Sequence, residues 1–283
     1  MKIKYYGTGA GAGIPEIFCS CRVCENARAE RGKNIRTRSQ AVIDGILGID
    51  FSVDAFQHTI HGGLDMRVVK SVLVTHAHHD HFLQADIISR AVGMTEPIHF
   101  YFSEESGRGF NKAVQDRKEA FASGARKCNG NEVLVETHFV EKYKTYQILG
   151  YDVTPLKAHH GGPALGALIY IIQKDGKNIL WAHDTGKLHT EVYEFLKTTD
   201  ICFDFVSLDC TLKRGDQITG GHMDLDWCIE TVERLREGGH VNDKTVIALS
   251  HIGHLVERTH DELAAEAAEY GMIVAYDGME IEI

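Results

Sequence analysis

The chain has 283 residues, 43% hydrophobic and 25% charged, a length that buries about 75% of the unfolded surface and needs no disulfide staples. Its formal net charge is −10, which argues against a broad electropositive surface for nucleic acid or anionic lipid but leaves room for a small anionic substrate in a locally positive site. No apolar run approaches membrane-spanning length, MKIKYYGTGAGAG has no apolar signal core, and clustered thiols in a leaderless chain are expected in the cytoplasm.

In chain order, Met1–Tyr6 reads as a short strand running into a glycine-dense turn, with Gly7, Gly9, Gly11 and Gly13 before Pro15. Cys19, Cys21 and Cys24 follow, then a polar stretch with Arg28, Arg31, Lys33, Arg36 and Arg38. Ser39–Asp50 alternates and predicts one or two strands, and Val68–Thr75 (VVKSVLVT) and Ile98–Phe102 predict buried strands. The long polar region Ser103–Lys144 is expected to be an insertion or a lid. Gln147–Leu156, Ala167–Gln173 and Asn178–Ala182 read as strands, the last two joined by a Lys174-Asp175-Gly176-Lys177 hairpin turn. Phe205–Asp209 and Thr245–Ser250 are short apolar runs ending in polar residues, the form of buried strands that deliver a site at their C-terminal ends. Helical periodicity runs over Thr190–Lys197, Asp224–Arg236 and Asp261–Tyr270. With no linker and no internal repeat, these elements predict one α/β domain of two sheets sandwiched between helices.

The strongest chemical signal is Thr75-His76-Ala77-His78-His79-Asp80-His81, directly after a predicted strand in a chain with 17 histidines. Imidazoles at i and i+2 on an extended or turning backbone can face one ion, and the following Asp80 and His81 can face a second. So many polar groups at one strand end would crowd together unsatisfied in any other role. This spacing supplies half of a dinuclear site. The other half is expected at further strand ends, where His159-His160, Asp184 and His251 stand. Cys19-x-Cys21-x-x-Cys24 suits a tetrahedral Zn²⁺ that needs one more ligand, with His254 and His222 as the alternatives. The glycine run does not match G-x-G-x-x-G, and neither a P-loop nor a G-x-S-x-G elbow occurs.

Together these residues resemble the metallo-β-lactamase superfamily of dinuclear metallohydrolases. Within it they resemble the PhnP group of phosphoribosyl cyclic phosphodiesterases, in GTGAGAGIP followed by CSCRVC, then THAHHDH, WAHDTG, SHIGH and the terminal YDGMEI. The resemblance implies an αββα sandwich as a single domain over 1–283, with a Cys-rich zinc loop at about 19–24; the insertion at about 103–144 departs from the family pattern, being longer here. It implies one ion held by His76, His78 and His160, a second by Asp80, His81 and His251, and Asp184 bridging them. Asp50 would brace the metal loop from outside the ligand set, and His254 would complete a structural Cys₃His zinc site. His222, in GGHMDL, becomes the candidate general acid, with Asp80 as the proton-accepting alternative.

The implied activity is opening of a small cyclic phosphodiester by a metal-activated water. Its cofactors are two divalent ions, Zn²⁺, Mn²⁺ or Fe²⁺, and one structural Zn²⁺. The expected partners are a small anionic phosphodiester and at most a second copy of the chain, with no membrane and nucleic acid disfavoured. Three alternatives stand beside this. A tRNA 3′-processing nuclease needs a basic surface that the net charge disfavours. A PqqB-like protein would share the cysteine-rich loop. A non-catalytic zinc scaffold would need the cysteine site but not the His/Asp set.

Overall fold

Short apolar runs separated by turn residues pair into two seven-stranded sheets. The structure is a computed structural model that describes residues 1–90, 96–124, 134–216 and 221–283. One sheet contains β1 (Lys2–Gly7), β2 (Gln40–Ile43), β3 (Leu47–Ile49), β4 (Ser71–Leu73), β5 (Ile98–Phe102), β6 (Val135–Phe139) and β14 (Glu280–Glu282), in the order β14-β1-β2-β3-β4-β5-β6. The other contains β7 (Tyr146–Ile148), β8 (Tyr151–Lys157), β9 (Leu168–Lys174), β10 (Lys177–Ala182), β11 (Phe205–Asp209), β12 (Val246–Ser250) and β13 (Met272–Val274), in the order β13-β12-β11-β10-β9-β8-β7. The helices are α1 (Arg22–Glu30), α2 (Ala55–Gly62), α3 (Gln84–Arg90), α4 (Glu104–Ala122), α5 (Thr190–Leu196), α6 (Leu225–Glu237) and α7 (His260–Ala268).

The period-2 alternation of strand side chains divides the apolar residues between layers. In β9, Leu168, Tyr170 and Ile172 join Tyr5, Ile43 and Leu47 in a core between the sheets. Their neighbours Ile169 and Ile171 face the other way and pack with Val192, Leu196, Val232 and Leu263 under α5, α6 and α7. On the outer face of the first sheet, Val72, Phe100 and Phe102 pack with Phe110 and Val114 of α4. The result is the expected αββα sandwich. β3 to β6 run parallel, as do β10 to β13. Each parallel set therefore ends its strands on one edge, where the following loops carry the polar clusters.

Several expectations need correction. Within Ser103–Lys144, the described residues form no lid. α4 buries Phe110 and Val114 on the sheet, and β6 extends that sheet, pairing with β5 from Ile98↔Val135 to Phe102↔Phe139. The segment looks polar because α4 buries one narrow stripe. Part of that stripe is Gly107, whose backbone lies so close to the Phe102 ring that no Cβ fits. Gln147–Leu156 is a hairpin rather than one strand, turning at Leu149 (φ 53°) and Gly150 (φ 80°). β4 is shorter than Val68–Thr75 because Val68 is exposed in a turn and the Asp50 carboxylate captures the Thr75 amide. α1 replaces the start of the polar stretch after the cysteines. Among the described residues no helix is long and apolar enough to cross a membrane.

Candidate metal centre

The loop after β4 turns sharply enough to aim His76, His78 and His81 inward. His76 and His81 are buried, His78 faces the cluster from an exposed position, and His79 is exposed and joins no cluster. At the ends of other strands stand Asp50 after β3, His160 after β8, Asp184 after β10, Asp209 closing β11 and His251 after β12. Three of these positions have left-handed backbone: Asp50 (φ 63°), Asp184 (φ 50°) and His251 (φ 53°). Such conformations cost on the order of 1–3 kcal/mol each and persist where surrounding bonds hold them. Here the Asp50 amide donates to Leu73 O at 2.9 Å, and Ile252, next to His251, donates to Thr8 O at 2.9 Å.

Two clusters result. Donor atoms of His76, His78 and His160 lie within 4.8 Å of one another, as do those of Asp80, His81 and His251. Asp184 stands between them: Oδ2 is 2.7 Å from His81 Nε2 and 2.8 Å from His251 Nε2, and Oδ1 is 3.4 Å from His160 Nε2. His76 Nε2 and His78 Nδ1 are 2.9 Å apart, His78 Nδ1 and His160 Nε2 3.2 Å, and His81 Nε2 and His251 Nε2 3.3 Å. Nitrogens bound at about 2.0–2.1 Å to one tetrahedral ion would stand about 3.3 Å apart.

In four of these histidines the nitrogen facing away is engaged. His76 Nδ1 pairs with Thr75 Oγ1 at 3.0 Å, His81 Nδ1 with Asp50 Oδ2 at 2.7 Å, His160 Nδ1 with Gly221 O at 2.9 Å and His251 Nδ1 with Thr211 Oγ1 at 2.9 Å. Outward partners of this kind fix each ring's tautomer, so that Nε2 presents a lone pair to the centre. Two such lone pairs cannot bond each other. Consistently, Asp184 Oδ2 is buried and accepts no hydrogen bond despite its two imidazole neighbours. The donor set fits divalent ions.

The electrostatics agree. Asp50, Asp80, Asp184 and Asp209 are all buried, and uncompensated buried carboxylates are costly. Burial works against protonating His81 and His251, but Asp184 overrides it in both, with Asp50 helping at His81 and Asp209 at His251. The first is raised well above its ordinary value and the second to about 10. A divalent cation satisfies the same pull. At His76, burial and the neighbouring His81 drive the imidazole well below its usual range, toward the neutral form a metal ligand needs.

The second cluster is Cys19, Cys21, Cys24 and His254. His254 Nδ1 lies 3.3 Å from Cys19 Sγ and 3.6 Å from Cys21 Sγ, near the edge length of about 3.5 Å for sulfur and nitrogen around one Zn²⁺. Burial opposes the Cys21 thiolate, but the Cys24 amide and His254 outweigh it and bring its pKa down to about 6. Burial pushes the Cys24 thiol up to about 12.

The structure therefore gathers His254, not His222, with the cysteines. His222 lies at the metal edge: its Nδ1 is 2.8 Å from Asp209 Oδ2 and 3.8 Å from Asp184 Oδ1, and its ring stacks on His251 at 5.5 Å. Burial disfavours its charged form, but Asp209 more than offsets this, and its pKa is raised. Of the two glycines before it in sequence, Gly220 lies outside the described residues. His159 does not join the centre; its exposed ring meets His189 at 4.9 Å. His183 sits behind Asp184, bonded to Ser39 Oγ at 3.2 Å and Ser207 Oγ at 2.7 Å, and burial lowers its pKa to about 3.

Asp209 is the residue that sequence reasoning missed. Fully buried, it also accepts from the Thr211 amide and hydroxyl at 3.1 and 2.9 Å. The signal was present: it ends the apolar run FVSLD much as His251 follows VIALS.

With the site in view, a family model for the "beta-lactamase superfamily domain" matches residues 42–252. The whole chain is similar in fold to a diphosphatase of the PhnP family, at 22% identity and TM-score 0.71 over 100% of this chain and 97% of that one. It is similar to Zn²⁺-bound PqqB from Methylobacterium extorquens at 20% identity and TM-score 0.66, covering 100% of both chains. Human short-form tRNase Z matches at 14% identity and TM-score 0.65 over 100% of this chain and 99% of that one. A stretch of 85 residues, 29% of this chain, is 38% identical to part of an octanoyltransferase from Porphyromonas gingivalis, and spans 16% of that protein.

Proposed function

The chain belongs to the metallo-β-lactamase superfamily and has a buried His/Asp site of dinuclear type, and from that premise we propose that it opens small cyclic phosphodiesters of the phosphoribosyl type, leaving a monoester. In this reading His76, His78 and His160 would hold one ion and Asp80, His81 and His251 the other, with Asp184 as the carboxylate shared between the two sets. Cys19, Cys21, Cys24 and His254 hold a structural Zn²⁺. Divalent ions at the His/Asp centre would supply an acidified water and a Lewis acid for the phosphoryl oxygen.

The observation that carries the phosphodiester reading is the Asp209–His222 pair beside the centre, with Nδ1 and Oδ2 at 2.8 Å. Water oxygen bonds to phosphorus, one P–O ester bond breaks, and the departing ring alkoxide needs a proton. Asp209 holds His222 by Nδ1, which leaves the Nε2–H of the imidazolium as the donor to that oxygen. The two nearby rings, His160 at 4.8 Å and His251 at 5.5 Å, fix the position of His222 against the reacting group. Asp80 is the alternative proton acceptor on the water side. The similarity to a PhnP-family diphosphatase supports phosphorus chemistry. The stretch shared with an octanoyltransferase favours a second reading, action on an octanoyl group.

Chelation tests the metal assignment. The His/Asp ions keep solvent-facing positions, whereas a Cys₃His ion has four protein ligands and none open. Mild EDTA treatment is expected to abolish hydrolysis of bis(p-nitrophenyl) phosphate, leave about one Zn²⁺ per chain and preserve the circular dichroism spectrum. Added Mn²⁺ should restore turnover. Loss of every ion together with the fold would contradict two separate metal classes.

A further inference from the structure

The two clusters are joined by one pair of loops. The glycine turn after β1 leads directly into the cysteines, and the segment after β12 carries His251 and, three residues later, His254. Ile252, between those histidines, is pinned on both sides: its amide donates to Thr8 O at 2.9 Å and its carbonyl accepts from Ala10 N at 3.1 Å. The next residue of that turn, Gly11, lies against the metal edge, where an added Cβ would stand 3.0 Å from Asp80 Oδ2. The far end of the loop is fastened to the cysteines. Arg28 donates to Cys19 O at 2.7 Å and Glu16 O at 2.8 Å, and the Glu16 amide donates to Cys24 Sγ at 3.3 Å.

His251 is thus held where the two segments that the cysteine cluster ties together meet, Asp80 lies against Gly11 of one of them, and His251 sits in a strained left-handed conformation (φ 53°) that needs such holding. We propose that an ion bound by Cys19, Cys21, Cys24 and His254 clamps the glycine turn to the His251 loop and thereby raises the affinity of the Asp80/His81/His251 half-site for its own ion. The inference rests on the ligand sets proposed above.

The coupling is an equilibrium one and so must be reciprocal. Mn²⁺ binding is to be measured by calorimetry on EDTA-stripped wild type and on Cys21→Ser, each checked for fold by circular dichroism. The expected result is a loss of Mn²⁺ affinity of about 5–150-fold in Cys21→Ser. A second measurement needs no variant: in wild type, Zn²⁺ affinity at the cysteine cluster, read in a buffered-Zn²⁺ series, should rise by the same factor when Mn²⁺ saturates the His/Asp centre. That decides the matter if Cys21→Ser does not fold. Equal Mn²⁺ affinity in a folded Cys21→Ser, or a Zn²⁺ affinity indifferent to Mn²⁺, overturns the coupling and leaves the metal centre intact. Wild type that binds the cysteine-site Zn²⁺ and no further ion would overturn the dinuclear reading itself.

Discussion

Asp184→Asn is expected to lose at least one ion of the His/Asp centre and to cut phosphodiester turnover by more than about 10³-fold, beyond the 10–100-fold typical of changing a ligand's outer partner. One carboxylate oxygen faces His81 and His251 at 2.7 and 2.8 Å and the other faces His160 at 3.4 Å. The amide keeps the shape, and Asn tolerates the φ of 50° at this position about as well as Asp does. What changes is the charge shared between two cations, and an N–H₂ now points at groups that offer nitrogens. Metal content by mass spectrometry and kcat on the same preparation check this. Full metal with the wild-type rate would mean that Asp184 does not bridge.

His222→Ala is expected to keep all three ions and lower kcat by ~10²–10⁴-fold on cyclic diesters with alkoxide leaving groups. The loss should be much smaller on a p-nitrophenyl ester, whose leaving group hardly needs a proton. This contrast separates proton donation from phosphate binding, because a binding role would weaken both substrates alike. Loss of one Zn²⁺ per chain would instead place His222 on the cysteines. The geometry opposes that outcome, since His254 Nδ1 stands 3.3 Å from Cys19 Sγ while His222 Nδ1 stands 2.8 Å from Asp209 Oδ2.

What the sequence made legible was whatever is local. THAHHDH places its ligands within one turn, and Asp175-Gly176 turns its hairpin with φ of 51° and 73°, as an Asp-Gly pair requires. Strand-end polar residues pointed to His160, Asp184 and His251 because a buried strand must deliver the residues that follow it to an edge of the sheet. The same rule covered Asp209, which went unassigned because a lone Asp carries no spacing signal. Asp209 acts through His222, 13 residues on, and only the fold closes that distance. The helices α1 to α4 all escaped notice, and in three of them few buried apolar side chains are there for periodicity to register: Val23, Cys24 and Ala27 in α1, Ala55 with His58 in α2, and Phe110 and Val114 with Ser106 and Gly107 in α4. Choosing between His254 and His222 as the cysteine partner was likewise a tertiary question. It was decided by how Ile252 is pinned to the glycine turn.

The measurement that tests the central claim most directly is kcat/KM of the Mn²⁺-loaded protein across a panel. The panel comprises a ribose 1,2-cyclic phosphate ester, a 2′,3′-cyclic nucleotide, a linear diester, a β-lactam and an octanoyl thioester. The account predicts the highest value for a cyclic phosphodiester, with a phosphate monoester as the product and no turnover after EDTA. A β-lactam or thioester hydrolysed faster than every phosphodiester, or turnover that survives EDTA, would contradict it.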